Sequence, residues 1–150
     1  MVLFEQINAD IKSAMKAGEA DKLMALRAVK SELLLLKTSA GAKDEISEEE
    51  GIKVLQKMVK QRKDSAEIYK TQNRDDLYEK EIVEAEFIQA YLPKQMTETE
   101  LTDAITSMID KTGAVSMKDM GKIMGIASKE LAGKAEGKLI AAKVKELLSK

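Results

Sequence analysis

Apolar side chains recur every three or four residues along most of the chain, which is the spacing of amphipathic α-helices. In residues 1–92 this spacing predicts four helices. Their apolar positions are, helix by helix, Phe4, Ile7, Ile11, Ala14 and Met15; Leu23, Leu26, Val29, Leu33 and Leu36; Ile52, Leu55, Val59 and Ile68; and Leu77, Ile82, Ala85, Ile88 and Leu92. Residues 33–36 are four consecutive leucines, and we expect all of them to be buried between neighbouring helices.

Local signals mark the ends of these helices. Gly18 predicts the end of the first helix, and residues 38–44 are small or polar and predict a loop. Ser47 and Glu50 have the spacing of a capping box at the start of the third helix, which is expected to end near residue 72. Asn73 is the predicted N-cap of the fourth helix.

Pro93 is the single proline, and it predicts a break because the residue before a proline disfavours helical geometry. Thr97 and Glu100 then form a second predicted capping box, and Ser116 and Asp119 a shortened one. Three further helices follow, with Gly113 and Gly133 between them. Their apolar positions are Leu101, Ile105, Met108 and Ile109; Met117, Met120, Ile123, Met124 and Ala127; and Leu139, Ile140, Val144, Leu147 and Leu148. The sequence thus predicts an all-α protein, with a four-helix domain over residues 1–93 and a three-helix domain over residues 97–150.

Composition excludes several kinds of chemistry. The 150 residues contain no Cys and no His, so disulfides, thiolate or imidazole zinc sites and histidine-based triads cannot form. We identify no catalytic residue, metal ligand or cofactor site. The first residues are too polar for a secretory signal, and no apolar run approaches the ~20 residues of a membrane span. A cytoplasmic location is the resulting expectation.

The net charge of −1 argues against a protein that is basic throughout, but the charges are unevenly placed. The last 40 residues carry nine basic and four acidic side chains. This basic quarter suits a phosphate-facing surface, and it equally suits a solvated lysine-rich helix.

Several residues admit two interpretations. Gly121 and Gly125 lie one turn apart inside a predicted helix, which allows either close helix packing or close approach of a nucleic-acid backbone. The methionines 117, 120 and 124 have the spacing of core positions, which we prefer to a recognition surface. Arg62, Lys63 and Arg74 are candidate phosphate contacts, but ion pairing and a helix start explain them as well.

Five short stretches, in their order and separation, together resemble the GatB/YqeY family over residue 3 to the end. They are residues 60–65 (KQRKDS), 74–77 (RDDL), 91–95 (YLPKQ) with the following Glu100 and Leu101, 118–125 (KDMGKIMG) and 133–138 (GKAEGK). Glu136 departs conservatively from the aspartate more usual in the family.

The resemblance implies a helical domain followed by a small three-helix domain, and kinship with the tRNA-holding tail of the B subunit of glutamine-dependent Asp/Glu-tRNA amidotransferase. It therefore implies a noncatalytic tRNA-binding accessory protein, with amidotransferase or aminoacyl-tRNA synthetase proteins as further partners. The implied RNA-binding residues are Lys118, Gly121, Lys122, Gly125, Lys134, Gly137 and Lys138. Two alternatives remain open: a component of a carbon–nitrogen ligase that needs partner subunits, and a protein–protein adaptor.

Overall fold

The computed structural model describes residues 2–39 and 45–149, which form helices joined by turns and contain no strand. The all-α class predicted from the sequence is therefore confirmed. The helices within these residues are α1 (Val2–Ala17), α2 (Ala20–Ser39), α3 (Glu48–Thr71), α4 (Asp75–Gln89), α5 (Glu98–Thr112), α6 (Met120–Glu130) and α7 (Gly137–Leu148). A single 3-10 turn, Met117–Asp119, precedes α6. The chain divides into two compact units, Met1–Leu92 and Pro93–Lys150.

In the first unit α2 packs against α1, α3 and α4, and α3 pairs with α4. The buried core residues are Leu3, Ile7, Ala25, Leu26, Val29, Leu33, Ile46, Leu55, Met58, Val59 and Ile88. Gly18 ends α1 with a φ of 71°, a left-handed conformation that glycine adopts without steric cost. The predicted capping box of α3 is present, because the Ser47 hydroxyl accepts from the Glu50 amide at 3.2 Å and the Glu50 carboxylate accepts from the Ser47 amide at 3.0 Å.

Three predictions for this unit are wrong. Asn73 is not the N-cap of α4, because it takes a left-handed φ of 57° and Arg74 occupies the cap position. The four leucines are not all buried: Leu34 is 42% and Leu35 59% exposed, since α2 has neighbours on one side only. The predicted loop begins too early, because α2 continues through Thr38 and Ser39. The Thr38 hydroxyl donates a hydrogen bond to the Leu34 carbonyl at 3.1 Å, which satisfies this polar side chain within the helix. The rest of that loop, residues 40–44, lies outside the described residues.

The second unit packs α5, α6 and α7 around one core. Its buried residues are Leu101, Ile105, Met108, Ile123, Ala127, Leu131, Ala135, Ile140, Val144 and Leu148. The Thr97 hydroxyl caps α5 by accepting from the Glu100 amide at 3.1 Å, and Gly113 ends that helix with a φ of 70°.

Two apolar side chains of this unit lie at the surface: Met117, which was predicted to be a core residue, and Leu139, an apolar position of the last predicted helix. Met117 is 41% exposed because it belongs to the 3-10 turn, whose side chains do not follow the helical spacing on which the prediction rested. Leu139 is 55% exposed because it lies one position before the buried Ile140, on the outer side of α7. Met120 and Met124 do pack against the core, while remaining partly accessible.

Candidate nucleic-acid interface

Helix α6 has a buried side and an exposed side of contrasting chemistry. Ile123 and Ala127, one turn apart, are buried in the core. Gly121, Lys122 and Gly125 are exposed, and the exposed Lys118 lies in the 3-10 turn directly before the helix. We call Lys118, Gly121, Lys122 and Gly125 the lysine–glycine face. It carries two positive charges and no acidic side chain.

The two glycines of this face are not explained by packing inside the chain. A Cβ placed on Gly121 or on Gly125 would have no heavy atom within 4 Å outside its own helical turn. Neither has a positive φ, so neither backbone position needs a glycine. Glycine in a helix interior costs about 1 kcal/mol relative to alanine. Close helix packing, one of the two interpretations of the sequence, therefore has no contact to support it.

The lysines of this face also have no partner for their charge within the described residues. Lys118 and Lys122 make no salt bridge to any residue within 2–39 and 45–149, and both side chains are exposed. Lys143 on α7 shows the contrast, because its ammonium lies 3.0 Å from Glu146 and 3.4 Å from Glu98. The hydrogen bond to Glu146, with a smaller contribution from Glu98, raises the pKa of Lys143 above its ordinary value. Lys143 is thus committed within the unit, whereas the lysine–glycine face is available to an external anion.

The remaining predicted residues lie in the turn between α6 and α7 and in the first turn of α7. Lys134 is exposed in that turn, and Gly137 and Lys138 are exposed at the helix start. The cap residue Glu136 makes no side-chain hydrogen bond to the first amides of α7, which leaves the positive end of the helix uncovered by that side chain.

A distant part of the chain holds this turn in place. The Gln95 side-chain amide donates to the Gly133 carbonyl at 2.7 Å, and the Met96 amide donates to the Lys134 carbonyl at 2.8 Å. Gly133 itself has a φ of 77°. Gln95 and Gly133, which belong to two of the stretches that carry the family resemblance, therefore meet in space at this turn.

The predicted residues are spread along the paired helices α6 and α7, an arrangement that we call the strip. Lys134 also lines a groove of about 390 Å³ between α5 and the end of α6. The Ser149 hydroxyl lies 3.6 Å from the Met117 sulfur, so the end of α7 adjoins the start of α6 and the two helices run antiparallel. Lys118 and Lys122 consequently lie toward one end of the pair, and Lys134 and Lys138 toward the other. The eleven residues of α6 set this separation at roughly 16 Å.

Comparison with known proteins decides the family. A family model described as Yqey-like protein matches residues 4–148. This chain belongs to the YqeY-like family.

Two relatives of this YqeY-like chain carry the name "Altered inheritance of mitochondria protein 41, mitochondrial". The one from Pyrenophora tritici-repentis is 25% identical over 150 residues, which is 98% of this chain and 81% of the relative. The one from Clavispora lusitaniae is 33% identical over 114 residues, 75% of this chain and 65% of the relative. Those names refer to mitochondrial inheritance and mention neither RNA nor a reaction.

Three further candidate phosphate contacts, Arg62, Lys63 and Arg74, belong to the first unit of this YqeY-like chain, and the two arginines have acidic partners there. Arg62 is largely buried, with its Nε 3.4 Å from a Glu84 oxygen, within ion-pair distance but not aligned as a hydrogen bond. Arg74 donates two 3.2 Å hydrogen bonds to Asp76, which raise the pKa of Arg74 and lower that of Asp76. Lys63 is exposed. Arg62 is thus ion-paired, as its alternative interpretation stated, and Arg74 lies at the start of α4, as its own alternative stated.

A further exposed lysine, Lys129, is not among the residues predicted from the sequence. Lys129 is exposed and lies seven residues, two helical turns, after Lys122, so it extends the lysine–glycine face toward the end of α6. The interval of seven was visible in the sequence, but Lys129 falls between the stretches that carry the resemblance.

Two other kinds of site are absent from the described part of the chain. Residues 2–39 and 45–149 contain no group of three or more acidic side chains placed to hold a metal ion. None of the helices in those ranges is both long and apolar enough to span a membrane.

Proposed function

We propose that this YqeY-like chain is a noncatalytic RNA-binding protein that holds tRNA against the lysine–glycine face and the start of α7. One observation carries the proposal. Exposed lysines that form no salt bridge within the described residues share a helix face with glycines that neither a packing contact nor a backbone angle requires. The family resemblance supplies tRNA as the RNA.

The chemistry of this face suits a phosphate backbone. Lysine ammonium groups neutralise phosphates and release counterions, which supplies most of the affinity in nucleic-acid binding that does not depend on base sequence. A helix face that carries glycine in place of larger side chains lets a sugar–phosphate backbone approach the peptide closely. Residues 93–150 contain no aromatic side chain on which a base would stack, so this mode recognises RNA by shape and by its backbone.

The same proposal includes partners. Kinship with the tRNA-holding tail of an amidotransferase subunit favours an accessory role beside amidotransferase or aminoacyl-tRNA synthetase proteins. In this role the chain contributes a surface that holds tRNA. A cytoplasmic location remains a prediction, and the names of the two relatives make mitochondria the alternative compartment to examine.

The test is the salt dependence of tRNA binding, measured by fluorescence anisotropy. Four lysine–phosphate contacts give a slope of log K against log salt of about −3 to −4. Changing Lys118 and Lys122 to Gln removes two of these contacts, so the slope becomes shallower by about 2 and affinity falls most at low salt. Lys134→Gln and Lys138→Gln test the other end of the strip in the same way.

The matched control is Lys12→Gln with Lys16→Gln, two exposed lysines four residues apart on α1. This pair removes the same charge from the other unit, and we expect it to change the slope little. Equal losses in the control and in Lys118→Gln with Lys122→Gln would mean that net charge alone drives binding. Absence of tRNA binding at low salt would refute the proposed function.

A further inference from the structure

Helix α2 carries exposed large apolar side chains on the side that faces away from its core. Met24 is 51%, Leu34 42% and Leu35 59% exposed, although Leu26 and Leu33 of the same helix are fully buried. Three of the nine large apolar side chains exposed in the described residues lie on this helix. The outer side of α2 is therefore unusually apolar for a surface helix.

The spacing on this outer side is that of a helix-pairing seam. Met24, Ala28, Ser31 and Leu35 follow one another at intervals of four, three and four residues, which are the a and d intervals of a coiled coil. Met24, Ser31 and Leu35 are exposed, and Ala28 lies at the edge of the seam, where it also packs against the core. Two small side chains lie in the middle, with a larger one at each end. The seam is about 16 Å long.

The two flanks of the seam carry opposite charges. Arg27 occupies a g position and Glu32 the next e position, five residues later. Both are exposed, and neither makes a salt bridge within the described residues. In a parallel pair of identical helices the g position of one chain faces the following e position of the other, so Arg27 of each copy meets Glu32 of its partner.

The apolar flank is complementary in the same register. Leu34 is the next g position, and the following e position is Ser39. Ser39 lines a groove of about 450 Å³ between the end of α2 and α3. Its apolar wall is formed by Leu35, Leu36, Val54 and Met58, and its polar rim by Glu32, Thr38, Lys57 and Gln61. A parallel pairing directs the exposed Leu34 of one copy toward this groove of the other.

We propose that the chain self-associates through α2, with the helices of two copies parallel and in register. One alignment gives partners to both flanks: the ion pair between Arg27 and Glu32 and the apolar contact between Leu34 and the groove each form twice. An antiparallel pairing places Arg27 near Leu34 of the other copy instead, which leaves both guanidinium groups without acidic partners. The seam is short and has small central residues, so the dimer is weak and forms as concentration rises.

Sedimentation equilibrium over a range of concentrations tests the association. The apparent mass should rise from 16.6 kDa toward twice that value. Arg27→Glu faces Glu32 with a like charge, and we expect dimerisation to weaken at least about tenfold. Adding Glu32→Lys to Arg27→Glu reverses both charges and should restore the affinity. Leu34→Ser should weaken the dimer without changing its charge pattern.

Cysteine crosslinking tests the register. The chain has no Cys, so a single introduced thiol reports only its own encounter. Ser31→Cys places equivalent d positions opposite each other in the parallel pair, and we expect an intermolecular disulfide on oxidation. Ser13→Cys, an exposed position on α1, is the matched control and should crosslink much more slowly.

Three results would overturn the pairing. They are a monomer at all concentrations, a dimer that Arg27→Glu does not weaken, and equal crosslinking of Ser31→Cys and Ser13→Cys. A monomer that binds a different protein through Leu34 and Leu35 would assign this side of α2 to that partner, and it would equally refute self-association. None of these results bears on tRNA binding, which depends on the other unit.

Discussion

Replacing the two glycines of the lysine–glycine face with alanine should stabilise the protein and weaken RNA binding at the same time. At Gly121 and Gly125 the added methyl group meets no atom within 4 Å outside its own helical turn, and neither residue has a positive φ. The substitution therefore removes the conformational freedom of glycine from the unfolded chain without strain in the folded one.

The size of the gain follows from the positions. Gly125 lies in the middle of α6, where alanine is favoured over glycine by about 1 kcal/mol. Gly121 is the second residue of the helix, where the gain is smaller, about 0.5 kcal/mol. The double variant should gain about 1–1.5 kcal/mol in free energy of unfolding, which for a unit of this size corresponds to several degrees in Tm.

The chain offers a way to see in which unit the gain arises. All three tyrosines and both phenylalanines lie within Met1–Leu92, and the protein has no tryptophan. Tyrosine fluorescence therefore follows the first unit, while far-UV circular dichroism follows the helices of both. In a urea titration the tyrosine transition should stay where it is in the parent protein. The circular dichroism transition that is not shared with tyrosine fluorescence, which belongs to the second unit, should move to higher urea.

Gly113→Ala is the matched control, because its site is equally open but has a φ of 70°. The left-handed conformation makes alanine unfavourable there by about 1 kcal/mol, so stability should fall. A double variant of Gly121 and Gly125 that is no more stable than the parent would refute the reasoning about open space. A stabilised variant with unchanged tRNA affinity would show that these glycines do not contact RNA.

Three further predictions concern the first unit. Ser47→Ala removes the capping hydroxyl of α3 and should cost about 1 kcal/mol in urea unfolding. Arg62→Met leaves the Glu84 side chain, only 11% exposed, without its cation and should cost about 2 kcal/mol, of which Arg62→Met with Glu84→Gln recovers part in a double-mutant cycle. Burial, with the hydrogen bond to Asp10, raises the pKa of Tyr91; because the protonated form is favoured in the folded state, this contribution is full below about pH 10 and is lost as pH rises further. Tyr91→Phe should therefore flatten the alkaline loss of urea stability, measured by circular dichroism at about pH 8 and about pH 10.5.

Helix positions followed from the sequence because spacing and capping are local properties. The capping box at Ser47 and the glycine stop at Gly18 depend on residues within one turn of each other, and both are present. Burial of the leucine run was wrong for Leu34 and Leu35 because it depends on how many neighbours surround α2. That number is set by the packing of helices distant in sequence.

In the candidate site, too, local features followed from the sequence and packing between distant segments did not. Spacing alone left the glycines of α6 with two interpretations, since it does not reveal what lies beside a helix. The structure shows open space at Gly121 and Gly125, which leaves close packing without a contact. The contact between Gln95 and the turn at Gly133 joins residues 38 positions apart, and no local pattern predicts it.

Positive charge by itself does not distinguish a binding surface in this chain. Lys60 lies 2.8 Å from Asp64 along α3, and Lys53 lies 3.1 Å from Glu49, so basic side chains there have intramolecular partners. On α6 the basic side chains have no acidic partner in the described chain, and they alternate with glycines that lower helix stability. A stability cost that nothing inside the unit offsets points to a contact outside it. For that reason the glycines, more than the lysines, make α6 the surface to test first for RNA.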